Sequence, residues 1–299
     1  MRNLGTDPVS SKGASFAGRM TWPGLVPVRG FFILLVGLAL TTLPAKATSI
    51  FTETFNYAVG SSLIGQNGGS GFSGAWFLHK SNGGSSTITN GIGVGGSRAL
   101  QVGLDVSRRN LLSPRDTTGN SFYLSYIMNS SDFSGGNYTG ISLWQGEDEP
   151  NSEKMFIGIP WGAQKFGFDA HGGNGAADIK TVDFTPLANT SYLVTFALLP
   201  SLTSGKVDIK LWATSNLNVD ANTLLSADPN ASLIGSRDNF SFDNVRVAGD
   251  YAGALKLAGL SSATTGAEAI AGVPEPSSLS LLAVGLGGLA MMRRRRQAD

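Results

Sequence analysis

The chain has no cysteine among its 299 residues. That excludes a disulfide scaffold and any thiolate metal site. Charge is also scarce: Asp, Glu, Lys and Arg make up 14%, against a usual ~25%. Only two histidines occur, His79 and His171. No Gly-x-Ser-x-Gly elbow, phosphate loop or dinucleotide fingerprint is present; Gly91–Gly96 is a glycine turn with no helix after it. What the chain has in excess is glycine, 40 of 299 residues, against a usual ~7%. Over 200 residues between the two ends can bury a core without covalent staples. This is the composition of a secreted, turn-rich β protein.

The ends differ from the middle. Phe31–Leu43 is a compact apolar run preceded by Arg29, and Ala45-Lys46-Ala47 places small residues where a signal peptidase reads. Residues 1–47 are therefore expected to be a signal peptide cut after Ala47, with Met20 an alternative start. At the other end, Pro274 and Pro276 bound an uncharged run from Ser277 to Met292, followed by Arg293, Arg294, Arg295 and Arg296. That run is 16 residues long, roughly 24 Å as a helix, short for a hydrocarbon core of about 30 Å. The arginines resist translocation and stay cytoplasmic. The segment is expected to enter the inner membrane as a helix, with everything before Pro274 outside.

With the two ends set aside, residues 48–272 carry 13 Lys+Arg against 18 Asp+Glu, a net −5. A mildly acidic domain without a basic stripe argues against nucleic acid.

Between the ends, short runs alternate with period two and are separated by Gly, Asn and Ser. They are Ser49–Tyr57, Phe72–His79, Ser85–Val94, Arg98–Val106, Ser121–Asn129, Thr139–Gln145, Lys154–Pro160 paired with Gln164–Asp169 around Trp161-Gly162, Ser191–Leu199, Lys206–Ala213 and Asn239–Val247. This pattern predicts about eleven antiparallel strands in an all-β, two-sheet sandwich or jelly roll over 48–250, without a helix. Phe242 and Val245 need a bulge near Asp243-Asn244 to share a face. Residues 251–272, rich in Ala, Gly, Ser and Thr, predict a flexible linker.

Two resemblances follow from these residues. Val273-Pro274-Glu275-Pro276, the short apolar span and the arginine cluster closely resemble the PEP-CTERM sorting signal of Gram-negative bacteria. The resemblance implies export, transient inner-membrane insertion, removal of the sorting signal by exosortase, and delivery to the cell surface or extracellular matrix. Glu53-Thr54-Phe55, Gly74-Ala75-Trp76, Tyr192–Leu198 leading into Gly205–Trp212, and Phe242–Val247 resemble the concanavalin A-like superfamily, laminin-G-like branch.

Candidate chemistry is limited. The acidic run Glu147-Asp148-Glu149-Pro150-Asn151-Ser152-Glu153 reads as a solvated loop, since Pro150 interrupts a ladder and the spacing of paired glycosidase carboxylates is missing. Asp169, His171, Asn174 and Asp178 sit in a Gly-rich stretch; Asp169, Asn174 and Asp178 are the calcium candidates. Trp144 and Trp212 fall on the polar faces of their strands, and Trp161 and Tyr138 fall in turns, where aromatic rings line glycan grooves. The expected protein is non-enzymatic and needs no cofactor, with extracellular polysaccharide as its candidate ligand. A glycan-cleaving hydrolase of the same fold and a purely structural matrix protein are the alternatives.

Overall fold

The computed structural model describes residues 48–92, 98–133, 138–147, 152–170, 178–250 and 255–273. The predicted signal peptide, the sorting segment from Pro274 onward, His171 and Asn174 lie outside the described residues.

The described residues form two packed antiparallel sheets. In spatial order the first holds β13 (Ala231–Asp238), β12 (Lys206–Thr214), β11 (Ser191–Pro200), β6 (Phe122–Ser130), β15 (Leu255–Ala263), β4 (Arg98–Gln101) and β3 (Thr87–Asn90), with β1 (Ser49–Glu53) also on β15. The second holds β10 (Ile179–Thr181), β9 (Gly167–Asp169), β8 (Glu153–Ile159), β7 (Thr139–Trp144), β14 (Ser241–Gly249), β5 (Val106–Asp116) and β2 (Phe77–Lys80). The alternation read in the sequence sets the core. Leu124, Phe196, Ile209 and Leu257 of one sheet meet Ile141, Ile157, Phe168 and Val245 of the other, all out of solvent. The register of β14 against β5 shifts between Phe242 and Asn244. The predicted bulge is therefore present, and Phe242, Val245 and Val247 all enter the core.

Glu53–Phe55 and Gly74–Trp76, far apart in sequence, meet at a buried ion pair. Glu53 Oε2 accepts from Arg109 Nη1 (2.7 Å), Trp76 Nε1 (3.0 Å) and the Tyr57 hydroxyl (2.9 Å), while Oε1 accepts the Phe55 N–H (2.9 Å). Arg109 also donates to the Gly74 carbonyl (2.6 Å) and Asn67 Oδ1 (2.8 Å), with its guanidinium 4.2 Å from the Phe72 ring. The glycine-rich 60–75 segment is thus fastened to the sandwich by one carboxylate and one guanidinium.

The linker expected over 251–272 does not hold for its described part, 255–272. Leu255–Ala263 is an interior strand between β6 and β4/β1, and Gly266–Ala271 is a helix on the outer face of the first sheet. Asn239–Val247 therefore does not close the domain. Small side chains that read as a tether are there because helix and strand touch: a Cβ on Gly272 would lie 2.0 Å from Ser261 Oγ. Leu255, Leu257 and Leu260 face the core, while Ala258 faces the helix side. The helix opens on an N-cap, Thr265 Oγ1 accepting from the Glu268 N–H at 3.4 Å.

Other expectations also shift. A helix does occur within 48–250: α1 (Ala221–Ser226), capped by Asp220, which takes the Asn222 and Thr223 N–H groups at 3.0 and 3.1 Å. The later helix is α2 (Gly266–Ala271). Arg98–Val106 is not one strand: it breaks between β4 and β5, where Asp105 Oδ1 gathers the N–H groups of Asn82 (2.7 Å), Gly83 (3.0 Å) and Gly84 (3.4 Å). A bound carboxylate of this kind holds a turn, not a ladder. With β10, the long β5, β13 and β15 added, the described strands number fifteen.

Candidate functional site

The outer face of the second sheet is built by register. One residue from each of its seven strands falls into a single row: Phe77, Arg108, Arg246, Ser142, Phe156, Asp169 and Ile179. These alternate with core residues, so they face away from the first sheet. The next outward row runs Ala248, Gly140, Gly158, Gly167 and Thr181. Three adjacent strands thus carry no side chain there. Backbone approach demands it: a Cβ on Gly140 would lie 2.3 Å from the Ile157 carbonyl oxygen, and one on Gly158 (φ +151°) would lie 2.4 Å from that of Thr139.

The glycines of this strip and Ala248 are themselves buried, and aromatic rings border it. Tyr138, just before β7, meets Phe156 edge-on at 5.7 Å between ring centroids. Trp161, in the β8–β9 turn, lies 5.9 Å from Tyr138 at an interplanar angle of 35° and remains 58% exposed. The turn is closed by the Ala163 N–H on the Pro160 carbonyl (3.0 Å), with Gly162 at φ +74°. Tyr138 is fixed through its own carbonyl, which accepts from the Asp250 N–H at 2.8 Å.

Toward the other end the face is ionic. Arg246 Nη2 lies 3.2 Å from Glu153 Oε1, and its guanidinium stands 4.1 Å from the Trp144 ring. Arg108 Nη2 lies 2.8 Å from Glu147 Oε1, donates through Nη1 to the Gly146 carbonyl, and stands 4.8 Å from the Phe77 ring. Burial raises the Glu153 pKa above the ordinary glutamate value; Arg246, Ser142 and Trp144 oppose this, and the Asp169 charge adds to it. Beyond lies an open polar cavity of about 380 Å³ lined by Asp116, Gln145, Lys154, Arg237, Asn239 and Ser241, among others. Loss of solvation lowers the Arg237 pKa, opposed by Asp238, Asp178 and Asp169.

The expected site residues separate. Trp161 and Tyr138 come together. Trp144 and Trp212 do not join them: they are 2% and 4% exposed. Trp144 lies under Arg246 with His79 edge-on at 5.6 Å. Trp212 lies beneath α1 and donates to the Ala227 carbonyl at 2.9 Å. Alternation identified their outward direction, but an outward face of a sheet can itself be covered. The acidic run is not simply a solvated loop either, since Glu153 opens β8 in a buried ion pair and Glu147 is held by Arg108. Among the calcium candidates, Asp169 ends β9 and Asp178 precedes β10; both contribute to the field at Arg237. Among the described residues, no three His, Asp or Glu side chains gather as a metal site. The alternation of Lys154–Pro160 carries the outward parity of Gly158, whereas nothing in the sequence alone places Arg246 over Trp144.

The described chain is thus a two-sheet antiparallel sandwich with an aromatic and ionic outer face. At its C-terminal edge the chain carries a PEP-CTERM protein-sorting motif, which matches residues 272–296. That motif marks an exported protein processed at the membrane by exosortase. No curated protein matches the chain. Among solved structures it is similar to the T. cruzi calreticulin globular domain, at 10% identity and a TM-score of 0.49, covering 84% of this chain and 100% of that one. It is similar to the Emp47p carbohydrate recognition domain at 10% identity and a TM-score of 0.36, covering 73% and 97%. It is also similar to Trypanosoma rangeli sialidase at 9% identity and a TM-score of 0.36, covering 67% of this chain but 34% of the sialidase chain.

Proposed function

We propose that the protein is a non-catalytic component of the cell surface or extracellular matrix of a Gram-negative bacterium, that signal peptidase and exosortase free it, and that it binds polysaccharide through the outer face of the second sheet. The observation that carries the binding reading is Trp161, 58% exposed and backed by Tyr138 at the edge of the second sheet's outer face. An exposed indole of this kind offers a flat apolar surface to the C–H face of a sugar ring, and backing by a second ring limits the ordering cost of binding. The carboxylates of the face, Glu147 and Glu153, are each engaged by an arginine, which favours a structural over a catalytic use of these acids.

The test uses the mature protein recovered from the surface fraction, in affinity electrophoresis through the producing cell's exopolysaccharide and through a panel of neutral and acidic bacterial polysaccharides. At least one polymer retards the wild type, and Trp161→Ala weakens that retardation by roughly tenfold, as an anchor residue does. A wild type retarded by none of them, or a variant retarded equally, sinks the proposal.

A further inference from the structure

The folded domain runs to the edge of the sorting segment. Gly272 donates its N–H to the Glu268 carbonyl at 3.0 Å, Val273 donates to Ile270 at 3.0 Å, and Val273 is 5% exposed. It packs in the second apolar cluster, on the outer face of the first sheet, with Ile127, Leu193, Ala258 and Leu224. Gly272 presses on Ser261 of β15, an interior strand, so the chain leaves the domain from within that face and not from its rim.

From Val273 to the start of the apolar span at Ser277 is four residue steps, at most about 14 Å of extended chain. Two sheets pack about 10 Å apart, and a helix adds about 10 Å on one side. The Trp161 face is therefore roughly 20 Å or more from Val273, farther than the leash can reach. The α1/α2 face presents Asn222, Thr223, Ser226, Ala267 and Ala271 to solvent, with exposed Asp220 and Asp228 flanking α1. It is the short leash, not charge, that sets which face lies nearest the bilayer.

We infer that, while the sorting segment is in the bilayer, the sandwich is held with its α1/α2 face against the membrane surface and its Trp161 face turned outward. The glycan face is then available before the anchor is cut. The inference rests on the reading of Ser277–Met292 as a bilayer span.

The absence of cysteine makes the test direct, because any introduced thiol is unique. The full chain is reconstituted in phosphatidylcholine vesicles containing a lipid with a nitroxide headgroup. A fluorophore is placed at Ala271→Cys or Asn222→Cys on the helices, or at Gln164→Cys in the Trp161 turn. Quenching at both helix positions is expected to exceed that at 164 by at least about fivefold. A twenty-residue Gly/Ser insertion between Val273 and Pro274 is expected to erase the difference. Equal quenching in the uninserted chain overturns the orientation while leaving the span intact. If alkaline carbonate strips the chain from the vesicles, the span reading fails and the orientation with it. Neither result bears on whether the mature protein binds polysaccharide.

Discussion

Arg109 and Glu53 lie 56 residues apart in sequence and 2.7 Å apart in space, with side chains 2% and 0% exposed. One partner comes from the first strand of one sheet, the other from the middle of β5 in the opposite sheet. The pair therefore ties the two layers and the 60–75 segment at one point. Taking two charges out of water is costly, and the cost is met here by five further hydrogen bonds to the same two side chains. Burial, then the Glu53 charge, pushes the Tyr57 phenol up to about 12, so it remains a donor throughout the neutral range.

Removing one partner leaves an uncompensated buried charge. Glu53→Ala or Arg109→Ala alone is expected to lower the unfolding free energy by about 3–5 kcal/mol in urea titrations. Glu53→Met with Arg109→Met together is expected to cost less than the sum of the single losses. Additive losses would mean that the two residues stabilise the fold independently.

Asp105 predicts a pH dependence. The Asn82 N–H, with help from Ser85, Gly84 and Gly83, holds its carboxyl below the ordinary aspartate value. A depressed folded pKa means stability that is present above the unfolded value, near 4, and lost as pH falls through the folded one. Asp105→Asn is expected to lower Tm by roughly 3–10 °C at pH 7. The gap to wild type should narrow as pH drops below about 4, where the wild type loses the same charge. A gap that is constant from pH 7 to pH 2.5 would assign the loss to packing instead.

Gly272 separates a packed C-terminus from a tether by the sign of its response. In a flexible linker, Gly→Ala is neutral or stabilising by up to about 1 kcal/mol, because it restricts the unfolded chain. Against Ser261, where the new Cβ would lie 2.0 Å from Oγ, the same change overpacks. It is expected to cost about 1–3 kcal/mol and to speed amide hydrogen exchange across 264–273. Ser261→Gly should partly restore both.

Residues 255–272 resemble a linker in sequence because of the chemistry of close approach. Ala258, Ser261, Gly266 and Gly272 are small because a helix rests on a central strand, and the same composition in isolation describes a tether. The alternating strands were legible because one face was apolar: Leu124 and Tyr126, or Val207, Ile209 and Leu211, announce their burial. The bulge at Asp243 was legible for the same reason, from the parity of Phe242 and Val245. The first half of β5 was not, since Arg108, Arg109 and Asn110 are polar residues whose partners are at least 35 residues away in sequence for the two arginines. The site divides likewise. A turn position exposes Trp161, whereas what covers Trp144 is Arg246, placed there by a register that only the paired strands define.

That division predicts opposite behaviour from tryptophans of one type. Trp161→Ala removes a ring that is mostly in water and is expected to change stability by no more than about 0.5 kcal/mol, while weakening retardation by polysaccharide roughly tenfold. Trp144→Ala and Trp212→Ala each vacate a filled site, under Arg246 and under α1. Each should cost about 3–5 kcal/mol in denaturant melts. At temperatures where those two variants remain folded, their polysaccharide binding should stay near the wild-type value, because neither ring reaches the surface. Thermal melts and affinity electrophoresis on the same three preparations separate the roles. If Trp144→Ala abolished binding in a fully folded protein while Trp161→Ala left it unchanged, the ligand-contacting part of the face would be its ionic end around Arg246 and Glu153, and the aromatic platform would have to be given up.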